Sequence, residues 1–190
     1  LEVGSYTYLA MADRWNQRVR AIDPHTGVIR AIAGNGARAY GGDNGPAAEA
    51  YLDNPGHVAV DSRGRVIIAH SRLSRVRRVD EDGIIRTIVG TGQNWDKGDG
   101  GPAISACLVQ PTALTHGPRG DIYVADAIGR IRKVDATSGV ITTVAGIGLA
   151  GYTGDGGAAT EARIGPASPA KKKSTTPPRR QNSPWASTGS

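Results

Sequence analysis

The feature that most constrains this chain is a repeat of 56 residues, visible three times in phase. Val28-Ile29-Arg30-Ala31-Ile32-Ala33-Gly34-Asn35-Gly36 returns as Ile84-Ile85-Arg86-Thr87-Ile88-Val89-Gly90-Thr91-Gly92. It returns again as Val140-Ile141-Thr142-Thr143-Val144-Ala145-Gly146-Ile147-Gly148. Further along each copy come Asp43-Asn44-Gly45-Pro46-Ala47, Asp99-Gly100-Gly101-Pro102-Ala103 and Asp155-Gly156-Gly157-Ala158-Ala159. A periodicity of this length means stacked supersecondary units that cover one another's apolar faces, and it outranks any local propensity.

Inside a unit the period is that of strands. Residues 56–90 break into four short runs at 57–60, 65–69, 75–79 and 84–89, separated by the Asp61–Gly64 turn, a polar connection to Arg75 and the Asp80–Gly83 turn. Four-stranded units repeating in this way mark a β-propeller, each blade one small antiparallel sheet. The fold class read from the sequence is therefore all-β, an incomplete β-propeller of about three four-stranded antiparallel blades. The repeats run at about 6–55, 56–111 and 112–165, and about eleven strands are expected, because the first blade enters at its second run. Gly45-Pro46 and Gly101-Pro102, each followed by helix formers and then Leu52 or Leu108, predict short helical turns in the inter-blade linkers.

Composition agrees and sets limits. Phe is absent and aromatics are 5 %, so the core must be built from Val, Ile, Leu and Ala, and 27 glycines supply the turns. The net charge of +6 suggests nucleic acid until it is located. Residues 166–190 hold Lys171, Lys172, Lys173, Arg179 and Arg180 and no acid, which leaves residues 1–165 at +1. That Pro/Ser/Lys stretch cannot bury enough apolar surface to order itself, so residues 166–190 are expected to be a disordered basic tail after the 1–165 repeat domain. No specific nucleic-acid binding is expected. No stretch approaches the roughly 18 apolar residues of a membrane helix, so a soluble chain without membrane contact is expected. The lone Cys107 excludes a disulfide framework and a multi-cysteine zinc site. The opening Leu1-Glu2-Val3-Gly4 suggests a piece of a longer reading frame or a processed start.

The unit as a whole, with Gly98-Asp99-Gly100-Gly101-Pro102-Ala103, Val58-Ala59-Val60-Asp61, Ala125-Asp126 and Arg130-Ile131-Arg132-Lys133-Val134-Asp135, resembles the NHL-repeat family. The resemblance covers about residues 6–165. It implies a propeller, usually a closed ring of about six blades, that mostly serves as a binding scaffold. It also implies that the first strand of each blade lines the central channel and that the turn after Ala-Asp opens on the ligand-taking face. The pattern stops after Gly165-Pro166, where Ala167-Ser168-Pro169-Ala170 stands in place of a fourth inner strand.

Chemistry that recurs in every repeat belongs to the scaffold. Gly34-x-Gly36 and its two copies are expected to be turn glycines at strand ends, since no Gly-Lys-Ser/Thr follows. Asp43, Asp99 and Asp155 lack the ligand spacing of a calcium loop and are read as Asx turns. Arg18, Arg75, Arg130 and Arg20, Arg77, Arg132 are read as a solvated outer face balanced by Asp23, Asp80 and Asp135. The binding-face candidates are Asp13, Trp15, His70, Arg72, Trp95, His116 and Asp126; His70 breaks the repeat where its sister copies keep Asp13 and Asp126. His70 and His116 with two aspartates near one axis would suit a metal, but neither a metal nor a cofactor is expected. No catalytic residue is assigned.

The function expected is thus a non-enzymatic repeat scaffold for a protein or small-molecule ligand, a fragment of a larger propeller. Its rivals are a piece of a propeller enzyme of lyase or lactone-hydrolase type with a metal in the channel, and a truncated or frame-shifted chain without independent function. Three blades leave two faces uncovered, and a homodimer could complete the ring.

Overall fold

The computed structural model describes residues 8–165. The tail expected at 166–190 lies outside the described residues. The first blade is β1 (Leu9–Asp13), β2 (Arg18–Ile22) and β3 (Ile29–Ala33). The second is β4 (Pro55–Val60), β5 (Val66–His70), β6 (Arg75–Val79) and β7 (Ile85–Val89). The third is β8 (Ala113–His116), β9 (Ile122–Ala125), β10 (Ile131–Val134) and β11 (Ile141–Ala145). Each blade is a separate antiparallel sheet with strands in chain order, so the expected eleven strands and their grouping into three, four and four are found.

Local chemistry sets the turns. In the β4–β5 turn the Asp61 carboxylate accepts the N–H groups of Arg63 and Arg65, each at 3.0 Å, and Gly64 completes the reversal at φ +78°. The strand ends also explain one glycine of every repeat. Gly34, Gly90 and Gly146 sit at φ +92°, +96° and +85°. A Cβ at any of them would run into the backbone carbonyl oxygen of Gln17, Ser74 or Gly129, which lie in the turns before β2, β6 and β10.

The outer pair of each blade carries a bulge at the same place. The register shifts between Val19 and Arg20, Val76 and Arg77, and Ile131 and Arg132. Ile32, Ile88 and Val144 are the extra residues, and the local twist that a bulge adds suits a blade's outer edge.

The linkers contain single 3-10 turns, Ala47–Glu49, Ala103–Ser105 and Ala159–Glu161. Pro46 and Pro102 stand just before them in extended conformation, at ψ 128° and 131°, and not inside a helix. Besides the bonds inside each turn, such as Ala50 N–H to Ala47 O at 3.3 Å, linker carbonyls also accept across the fold. Gly34 N–H donates to Ala47 O at 2.8 Å and Asn35 N–H to Ala50 O at 2.9 Å, and the second linker repeats both bonds.

Two apolar cores result, one between each pair of neighbouring blades. Val19 and Ala33 of the first blade meet Ala47, Ala50 and Leu52 of the linker and Val66, Ile68, Val79 and Ile85 of the second. The other face of the second blade, with Ile67, Ala69, Val76 and Val89, meets Ala103, Ala106 and Leu108 and then Leu114, Val124 and Ile141. Each fully buried Ile or Leu here contributes roughly 1.5–3 kcal/mol. No helix among the described residues is long and apolar enough to cross a membrane.

Candidate binding rim

The repeated charged side chains are structural, though not as the sequence suggested. Arg77 and Arg132 are fully buried, so they do not form a solvated outer face. Arg77 donates from Nε to Asp43 Oδ1 at 2.8 Å, from Nη1 to Tyr51 O at 2.9 Å and from Nη2 to Gly41 O at 3.0 Å. Arg132 does the same with Asp99 (2.9 Å) and Cys107 O (2.6 Å). Asp43 and Asp99 are therefore not Asx-turn residues: each holds the buried arginine of the next blade. Asp43 Oδ2 accepts from the hydroxyls of Thr87 at 2.6 Å and Tyr40 at 2.9 Å, and Asp99 Oδ2 from Thr143 N–H at 2.9 Å. Burial alone would raise the Asp43 carboxyl, but bonds from Thr87 and the Arg77 charge outweigh it and hold it below the ordinary range. Arg18, Arg75 and Arg130 instead clamp the start of each linker through Asn35 O (2.9 Å), Thr91 O (2.5 Å) and Ile147 O (3.1 Å). Asp23 and Asp135 serve their own turns, with Asp23 accepting from His25 N–H at 2.8 Å. Asp80 pairs with Arg78 and Arg86.

Asp13, His70 and Asp126 occupy equivalent positions at one end of the blades: Asp13 ends β1, His70 ends β5 and Asp126 directly follows β9. Asp13 accepts from Asn16 Nδ2 at 2.9 Å and Arg20 Nη1 at 3.4 Å. Asp126, buried, accepts the N–H groups of Ile128 (3.1 Å) and Arg130 (2.9 Å), and burial raises its pKa. His70 is fully buried and neither ring nitrogen has a hydrogen-bond partner among the described residues. Burial, helped by the nearby Arg77 cation, lowers its pKa to about 3, so the ring is neutral.

His116 is elsewhere. It ends β8, a first strand, which runs opposite to the strand His70 ends, so the two histidines lie at opposite ends of their blades. Its Nδ1 lies 3.3 Å from Gly117 O. The juxtaposition of two histidines and two aspartates around one axis does not form, because antiparallel neighbours carry their ends to opposite rims. Among the described residues no three His, Cys, Asp or Glu side chains are grouped to hold a metal ion.

What does share one end is a row of turn tips. Trp15 lies in the 3-10 turn Arg14–Asn16 between β1 and β2 and is 84 % exposed. Arg72, exposed, occupies the same place between β5 and β6. Ile128, half-buried, follows between β9 and β10. The frames beneath are alike: Gln17 and Ser74 close their turns at φ 51° and 48°, and Gly129 does so at φ 80°. Ile128 escaped the sequence reading because its turn is one residue shorter than the other two. Trp95 stands in the second linker and not on a rim turn; it is 57 % exposed, with the Lys97 ammonium 5.0 Å from its ring centroid. At the opposite end an open groove of about 690 Å³ separates the second and third blades, bordered by Arg63, Arg65, Ile104, Arg119 and Asp135.

Three antiparallel sheets in series, joined by linkers that wedge between them, define part of a β-propeller. Residues 30–97 match the family described as the Teneurin NHL domain. Over 110 residues the chain is 37 % identical to NHL repeat-containing protein 2 of Gallus gallus, covering 56 % of this chain and 15 % of that protein. It is 29 % identical to Teneurin-1 of Gallus gallus over 110 residues, covering 52 % and 4 %. The repeats are NHL repeats, and the chain spans only a small fraction of the length of these relatives. Among solved structures it is similar to a structural-genomics protein of unknown function from Bacteroides thetaiotaomicron, with TM-score 0.64 at 21 % identity over 83 % of this chain and 37 % of that one. A gluconolactonase from Xanthomonas campestris gives TM-score 0.51 at 16 % identity over 74 % and 44 %. At such identities the likeness is one of fold alone.

Proposed function

We propose that the chain is a non-enzymatic binding scaffold, part of a larger propeller ring, whose rim turns take a protein partner. The observation that carries this reading is Trp15, a large aromatic 84 % exposed at the tip of a turn whose base is hydrogen-bonded in place. An indole has only two side-chain torsions to fix, so it loses little conformational entropy on binding while it buries a large apolar area, which is why tryptophan is enriched among binding anchors. Arg72 at the equivalent tip of the next blade supplies a cation beside it in the series. The pair suits an extended acidic segment bearing an apolar side chain. The enzyme reading has less support, since His70 is sealed and neutral and His116 lies at the other end. Selection of a displayed peptide library on the immobilised full chain tests the proposal. Peptides recovered on the wild type are expected to bind Trp15→Ala and Arg72→Ala at least tenfold more weakly, and equal binding by both variants would overturn it.

A further inference from the structure

The groove between the second and third blades carries two cations that no acid answers. Every residue that lines it falls between Asp61 and Gly139, so both banks and the floor belong to the described chain. One bank is the β4–β5 turn with Arg63, and the other is the β8–β9 turn with Arg119, the same place one repeat later. Both arginines are exposed, and both border the groove of about 690 Å³. The other charges there are already matched. Arg65 donates from Nε to Asp61 Oδ2 at 2.7 Å, and Arg78 pairs with Asp80. Lys133 Nζ lies 3.5 Å from Asp135 and 3.1 Å from Asp121. Arg63 and Arg119 have no ion pair among the described residues.

The same groove holds an apolar residue that the scaffold does not require. Ile104, in the linker, borders it and is 49 % exposed, with Ile88 half-buried beside the groove as well. The first and third linkers have Ala48 and Thr160 in its place. The 3-10 turn forms with each of the three residues, so the turn is not what calls for an isoleucine. An exposed aliphatic side chain costs free energy in water, and covering it on binding recovers that cost. A guanidinium presents a planar fork that a carboxylate fills with two parallel hydrogen bonds. Small-molecule sites typically enclose about 300–1,000 Å³ and combine apolar lining with a few placed polar groups, and this groove fits that description.

We propose that this groove binds a small organic diacid, with one carboxylate on Arg63, the other on Arg119 and the apolar body against Ile104. The site lies at the end of the blades away from Trp15 and does not rest on the rim reading. The test is calorimetric titration of the full chain at neutral pH and about 0.15 M salt, with adipate, sebacate and terephthalate as probes. At least one of them is expected to saturate at one ligand per chain with a Kd below about 1 mM. The matching monoacids, hexanoate, decanoate and benzoate, should bind at least tenfold more weakly than their diacids. Arg63→Ala and Arg119→Ala should each weaken the diacid at least tenfold, and Ile104→Thr should weaken it too. Arg30→Ala removes an exposed cation of the first blade and should change nothing, which separates the site from overall charge. No saturation by any diacid overturns the proposal, as do monoacids that bind equally well or an unchanged affinity in either arginine variant. The monoacid comparison needs only the wild type, so the test stands even if a variant fails to fold.

Discussion

Arg77 reaches back across a blade boundary to Asp43, with Nε 2.8 Å from Oδ1, and the rest of its fork is taken by the backbone carbonyls of Tyr51 and Gly41. The guanidinium is buried completely, so its charge is tolerable only because each of its three nitrogens donates to an oxygen. The same arrangement holds Arg132 on Asp99. It fixes one blade on the next more specifically than apolar contact could.

Removing one partner leaves the other charge stranded. Asp43→Ala is expected to destabilise the chain by about 3–5 kcal/mol, read as a lower urea midpoint. Arg77→Met in the Asp43→Ala background removes the stranded cation and should recover part of that loss. A double variant no better than Asp43→Ala would show that the loss does not come from a stranded cation.

Gly90 and Gly64 share a left-handed backbone but differ in what surrounds them. Gly64, at φ +78°, has nothing within 4 Å of a built Cβ, so Gly64→Ala should cost only the strain of about 1–2 kcal/mol. Gly90→Ala must also displace the Ser74 carbonyl, and its loss in urea titration should be clearly larger. Equal losses would refute the close-approach argument.

His70 makes stability depend on pH. Its folded pKa is lowered to about 3, below the ordinary 6.5, so the unfolded chain binds the extra proton between those values. The stability is fully present above pH 6.5 and is lost as the pH falls toward 3. Between pH 7.5 and 4.5 the wild type should lose about 2–3 kcal/mol more than His70→Leu, most of it above the range where the carboxylates titrate. Parallel urea curves at the two pH values decide it.

Trp15 touches little, so its removal should leave folding alone. Trp15→Ala is expected to change stability by no more than about 0.5 kcal/mol, with loss of a water-exposed component from the tryptophan emission. A large drop in stability would move Trp15 from the rim into the scaffold.

The strands were legible because alternating β-branched residues between glycine-bearing turns leave few other options, and residues 75–79 read as a strand are observed as β6. The linker aspartates were misread for a physical reason. Asp43 in an Asp-Asn-Gly context looks like a turn former, and its partner stands 34 residues later on another blade, beyond the reach of any local pattern. The opposite placement of His70 and His116 was implicit in strand parity, since one ends a second strand and the other a first. The rim row was half legible: Trp15 and Arg72 break the repeat visibly, whereas Ile128 hides behind a one-residue deletion.

The two cores share a single wall. All five residues of β5 are buried, and they alternate, with Ile67 and Ala69 turned to one core and Val66 and Ile68 to the other. The second blade therefore cannot open by itself without exposing both interiors, while either end blade can detach and leave one core closed. Fraying should then proceed inward from the ends as separate cooperative units, with the amides of β5 the slowest in the molecule to exchange with solvent deuterium.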